Sequence, residues 1–354
     1  MGKERIIFLD WLRAIACLMV FFVHAAEAYY SNDYTFSFTS DTARWSVLVF
    51  QSLVRSSVPL FLMASSYLLV PLKTDTFTFF KKRFKRVVIP LLVFLALYAV
   101  LPTFWGAQTW SQAWVELRHA YITFPVAGSH LWFLYMLIGI YLIMPVLSPW
   151  LVNISKKEEQ VFLLIWLFTS TFYRLRPMLG GAIFGECWWG VNATFYYVSG
   201  FVGYVILAHY IRTWIHWDKR KIISICAPLF ALTFVILLAS GAYYSTRCTT
   251  PAELERDWQF LSIVPVFMSF AAFMLIKAIT SSGKFYEKVI LKISSASYGM
   301  YLMHMLILPH YFKLFSPHMP EYFGIPLITL ATYLTSFLIS HLIGKLPFGK
   351  YVVG

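Results

Sequence analysis

The chain has 354 residues, of which 59% are hydrophobic and only 13% charged, with a mean hydropathy of +0.67. Water-soluble domains carry about 25% charged and roughly 45–50% apolar residues, so an oversized soluble core is excluded and an all-α polytopic membrane protein is expected, with the lipid bilayer as a partner. The net charge of +13 does not indicate nucleic acid, because the basic residues fall mostly in short breaks between apolar runs, where membrane orientation puts them.

A membrane span needs about 20 mainly apolar residues. Ten candidates follow in chain order: 6–29, 45–70, 87–106, 130–152, 160–175, 192–212, 221–243, 259–279, 290–310 and 323–345, the fifth being the shortest. The breaks between them carry turn and charge signals, as in KTDTFTFFKKRFKR, NISKKEEQ, RTWIHWDKRK and SSGKFYEK. With the N-terminus inside, 20 Lys and Arg fall in inner segments and seven in outer ones, while Arg13 and Arg55 stay within spans. That asymmetry predicts both termini in the cytoplasm. No soluble stretch is long enough to stand alone and no internal repeat is visible, so 1–354 reads as one transmembrane domain.

The first span contains RAIACLMVFFVH (13–24). Arg13 and His24 are eleven residues apart, close to three helical turns, so they share a face about 16 Å apart along the axis. Asp10 lies one turn before Arg13, at ion-pair spacing, and Glu27 follows His24 at i+3, where it can raise the basicity of the imidazole. Charges against lipid are costly, so this face is expected to meet protein or a wet cavity, and two ionisable groups near opposite ends of one stripe point to a polar passage through the bilayer. The plainer reading is a polar stripe that holds helices together. Arg55, just before Ser57 in the second span, is another charge in need of a partner.

The basic break before the third span supplies Lys81, Lys82, Arg83, Lys85 and Arg86. Arg83 and Arg86 are three apart and project the same way from a helix, as a phosphate clamp requires. Orientation alone would also place a basic loop there. His130 and Trp132 open the fourth span at the outer interface, where Trp serves as a membrane belt or stacks on sugar. In the ninth span Ser294, Ser297, Tyr301 and His304 share one face, for ligand binding or for helix–helix hydrogen bonds, with Tyr298 off that stripe. Cys17 and Cys226 sit in apolar runs as packing residues. Cys187 and Cys248 both fall on the outer side, which leaves a disulfide open, beside a Glu186–Trp188–Trp189 loop suited to anchoring or sugar stacking. No P-loop, dinucleotide motif, metal-ligand set or G-x-S-x-G turn occurs.

Six blocks follow one another along the chain: FLDWLRAIACLMVFFVH, with its arginine and histidine separated by ten residues; SVPLFLMASSYLL (57–69); KRFKRVVIPLL (82–92); HLWFLYMLIGIYLIMPVL (130–147); TFYYVSGFVGY (194–204); and ISSASYGMYLMH (293–304). Together they resemble the membrane acyltransferase-3 family, ten-span O-acyltransferases of bacterial surface glycans. IACLMV and SVPLF are most similar to the enterobacterial common antigen O-acetyltransferase type. The chain departs from the family pattern at Ala14, where a glycine usually follows the arginine, at Ser65-Ser66 in place of Ser-Gly, and in the fourth helix, which has Tyr135 and Gly139 where many relatives carry an acid.

The resemblance implies a multi-pass protein of the bacterial inner membrane that moves an acyl group, usually acetyl, from cytoplasmic acyl-CoA (acetyl-CoA) to a hydroxyl of a cell-surface or lipid-linked glycan, with no metal. On that reading His24 is the general base, worth typically 10²–10⁴-fold. Arg13 positions the pantetheine arm or stabilises developing charge, and Asp10 orients Arg13 or simply pairs with it. Arg83, Arg86, Lys82 and Lys85 hold the CoA phosphates. His304, Tyr301, Ser297, Arg55, Glu27, His130 and Trp132 form the acceptor side. A transporter or flippase would also use intramembrane Arg and His, but the paired Gly/Pro-broken repeats common in transporters are missing. A membrane sensor of acyl-CoA is the third reading.

Overall fold

In the computed structural model, residues 5–32, 35–120, 122–179, 184–185 and 193–354 are described. Fourteen α-helices make up nearly all of this: α1 (Ile7–Glu27), α2 (Asp41–Val54), α3 (Ser57–Ser66), α4 (Thr76–Val100), α5 (Trp110–His119), α6 (Trp132–Asn153), α7 (Lys156–Thr169), α8 (Phe172–Leu179), α9 (Val202–Trp214), α10 (Lys219–Ser245), α11 (Pro251–Leu254), α12 (Ile263–Lys277), α13 (Leu291–Phe315) and α14 (Glu321–Gly344). A two-residue antiparallel ladder, Ser31–Asn32 with Thr35–Phe36, is the extended structure among the described residues.

The polar breaks start helices by capping them. Asp75 accepts from Thr78 N at the head of α4, Asp218 from Lys221 N at α10, and Ser155 with Glu158 closes a reciprocal capping box at α7. Among the described residues, eight helical stretches are long and apolar enough to cross a membrane, which makes this a multi-pass membrane protein. They correspond to eight of the ten expected spans. Of the other two, α7 has 14 residues and stops at Thr169, and α13, at 25 residues, carries the Ser–Tyr–His stripe that lowers its hydropathy. The second stretch, Asp41–Ser66, is broken at Arg55–Ser56 into α2 and α3.

α1 lies at the centre of the bundle, packed against α2, α3, α12, α13 and α14. Lipid tails are as apolar as leucine, so helices in a bilayer associate through close packing of small residues and polar contacts. α1 buries Ala14, Ala16, Ala25 and Ala26 in this way. Where α13 meets α14, a Cβ on Gly299 would stand 2.3 Å from Ser340 Oγ, so only glycine permits that approach. At the Glu27 end of α1, Arg174 of α8 makes a two-bond pair with Asp257 (2.9 and 2.9 Å), and Ser240 of α10 donates to the same carboxylate. This anchors the 255–261 turn over the bundle.

Candidate active site

The ionisable residues of α1 separate into two clusters. At the Ile7 end, Asp10 is buried and accepts from Arg5 Nε (2.7 Å) and Nη2 (3.0 Å), from Tyr286 Oη (2.7 Å) and from Ser294 Oγ (2.6 Å). Arg13 Nη1 stands 3.7 Å from Asp10, so the tight partner of this carboxylate is Arg5 and the expected Arg13 pair is the looser contact. Arg13 also feels the charge of Arg86 on α4. Arg83 lies over the rings of Phe79 (5.7 Å) and Tyr141 (5.6 Å). Lys82, Lys85 and Arg86 are exposed, and Lys85 Nζ is 4.6 Å from the Tyr351 ring. Arg13 therefore groups with the basic break.

At the Glu27 end, His24, Glu27, Arg55, His130, Trp132 and Tyr301 line one cavity of about 340 Å³, within the ~300–1,000 Å³ range of small-molecule sites. His24 Nδ1 is 2.8 Å from Glu27 Oε2. A carboxylate only accepts, so Nδ1 donates, and in the neutral imidazole Nε2 keeps its lone pair. This His–carboxylate dyad has the arrangement of a base held in one tautomer by its neighbour. Tyr301 donates to the His130 carbonyl, and His130 Nε2 lies 3.4 Å from the Tyr98 hydroxyl. Trp132 stacks on Phe260 at 6.2 Å, which builds an apolar wall.

Two expected acceptor-side residues stand behind the cavity. His304 is fully buried, stacked on Phe21 at 4.8 Å, and donates from Nδ1 to the Tyr301 carbonyl at 2.6 Å. Its ring is 5.1 Å from His24 and 4.7 Å from His130, and its Nε2 has no partner. Ser297 donates to the Ser294 carbonyl inside the seam between α1 and α13. The cavity does not reach Arg13. The positions between it and His24 on the ridge are Cys17, Val20 and Phe21, and Cys17 and Phe21 are completely covered by packing.

Sequence reasoning missed Glu255, which also lines the cavity. It arrives from the break TTPAELERDW, held by a hydrogen bond from Tyr30 and by the Arg174–Asp257 anchor of the same turn. Burial pushes its carboxyl above the ordinary range. The signal available was three acids beside a tryptophan in the break before the eighth expected span, which a count of basic residues ignores. Glu186, Cys187, Trp188 and Trp189 lie outside the described residues, and Cys248 is a half-buried free thiol. Among the described residues no group of three or more His, Cys, Asp or Glu is arranged to hold a metal ion.

A comparison with family models matches the acyltransferase-3 family, described as an acyltransferase domain, over residues 6–344. No curated protein and no solved structure gives a match. With that match covering nearly the whole chain, from the base of α1 to the end of α14, the protein belongs to the acyltransferase-3 family of membrane acyltransferases.

Proposed function

We propose that this protein transfers an acetyl or related acyl group from acyl-CoA to a hydroxyl of a cell-surface or lipid-linked glycan, with His24 as general base. The basic end, with Arg83 and Arg86, faces the cytoplasm of a bacterial inner membrane and receives the CoA phosphates. The 20-to-7 distribution of Lys and Arg supports that orientation. Arg13 sits beside this basic cluster and guides the pantetheine arm. The acceptor enters the cavity at the other end, of the enterobacterial common antigen type if the likeness at IACLMV and SVPLF extends to substrate.

The observation that carries the reading is the His24–Glu27 dyad facing a cavity large enough for a sugar ring, with an aromatic wall opposite. A sugar hydroxyl is a poor nucleophile until its proton is removed, and a neutral imidazole with a free Nε2 removes it. The test is thiol release from acetyl-CoA by the purified protein in lipid nanodiscs, with a lipid-linked glycan fraction as acceptor. Wild type is expected to release thiol only with acceptor, and His24→Ala to lower the rate by about 10²–10⁴-fold while still binding acetyl-CoA. Glycan movement without thioester cleavage would instead establish a transporter, and full transfer by His24→Ala would remove His24 as the base.

A further inference from the structure

We infer that Arg55, rather than Arg13, is the cation that meets the reacting thioester carbonyl, and that the head of α3 joins it to form an oxyanion hole; this rests on the acyl-transfer reading above. Arg13 lies outside the cavity that holds His24, whereas Arg55 lines it. Arg55 is only 4% exposed, and its Nε and Nη2 donors, the side-on edge of the guanidinium, have no hydrogen-bond partner. An unpartnered buried donor is expensive, and one on a charged group more so, so a fold keeps it only where something else accepts.

The rest of the guanidinium is well supported. Its Cζ sits 4.7 Å over the fully buried Trp258 ring, and its charge is felt by both Glu27 and Glu255. The cation is thus seated and balanced without a carboxylate occupying its side-on edge. The chain breaks at this point: Arg55 follows the last residue of α2, Ser56 makes no side-chain cap, and Ser57 and Val58, the first residues of α3, line the same cavity. The first N–H groups of a helix lack intrahelical partners and lie at the positive end of its dipole. Donors fixed around one point in a water-poor site stabilise the charge that develops on a carbonyl oxygen.

The step balances as follows. His24 Nε2 takes the proton of the acceptor hydroxyl as its oxygen bonds to the thioester carbon. The carbonyl π pair moves onto oxygen, where Arg55 Nε–H and Nη2–H hold it. The pair returns, the C–S bond breaks, and the thiolate takes the proton from His24, giving acyl ester and free thiol.

Two CoA analogues and one variant test this. S-ethyl-CoA has no carbonyl, and trifluoroacetonyl-CoA presents a ketone that hydrates to a tetrahedral centre. Wild type should bind the ketone at least tenfold more tightly than the thioether. Arg55→Lys keeps the charge but loses the side-on edge, and should lower kcat by about 10²–10³-fold, as loss of one oxyanion donor does. Its KM for acetyl-CoA and its affinity for S-ethyl-CoA should stay within about threefold of wild type, and the ketone preference should vanish. The inference is overturned if Arg55→Lys transfers at the wild-type rate, or if both analogues weaken together. A wild-type ketone preference below threefold overturns it without any variant. Active wild type with inactive His24→Ala and fully active Arg55→Lys would remove this inference and leave the acyltransferase reading standing.

Discussion

At the scale of single residues, the distinction that matters is which polar atoms are already used. Asp10 has its oxygens filled by Arg5, Tyr286 and Ser294, whereas His24 spends Nδ1 on Glu27 and keeps Nε2 for the cavity. In the proposed reaction Glu27 acts through His24, as a positioning residue. Replacing it by Gln keeps the size and a hydrogen-bond acceptor but deletes the charge that favours the imidazolium. Glu27→Gln should lower kcat by about 10- to 100-fold, the rate equivalent of the roughly 1.5–3 kcal/mol of a charge-assisted bond, with KM for acetyl-CoA unmoved. Steady-state kinetics with the nanodisc enzyme reads this directly. An unchanged kcat would mean that the dyad contact has no part in the chemistry.

At the scale of helices, α1 and α13 are joined at one end by Asp10 and near the other by the His24–His304–His130 rings. In the first knot Asp10 is buried, and its loss would strand the buried hydroxyls of Tyr286 and Ser294, while the half-exposed Arg5 turns to water. A buried donor left without its acceptor costs about 1–3 kcal/mol. Asp10→Ala should therefore lower the unfolding midpoint of the detergent-solubilised protein by several degrees, with the loss of turnover following the loss of folded protein. A variant that keeps the wild-type midpoint yet is inactive would place Asp10 in the chemistry instead. The ninth-span stripe was legible from its spacing, but its uses differ along its length. Ser294 serves the knot, Ser297 bonds back to the Ser294 carbonyl of its own helix, Tyr301 reaches the cavity and His304 stands behind it. Spacing gives the face of a helix; it does not say which neighbour covers each residue.

At the scale of the whole molecule, the membrane class, the helical architecture and eight of the spans followed from hydropathy, because a bilayer forces backbone polar groups into helices. The grouping of Arg13 and His24 did not follow in the form expected. One helical ridge carries both, but packed Cys17 and Phe21 separate them, and Arg13 joins the basic break while His24 joins a cavity. Glu255 was invisible for a different reason: it reaches the site through a turn held by Arg174 and Asp257, 83 residues apart, and no local pattern encodes such a contact. Arg55 was legible as a charge without a partner, yet its meaning depends on the break between α2 and α3 and on Trp258 beneath it. On the proposed function, the donor spans the two clusters, with phosphates at Arg83 and Arg86 and the thioester near His24. A density map of the protein with S-ethyl-CoA bound tests that path most directly. The expected result has the phosphates against Arg83 and Arg86 and the sulfur inside the cavity that His24 and Arg55 line. A sulfur held beside Arg13, with that cavity empty, would contradict it.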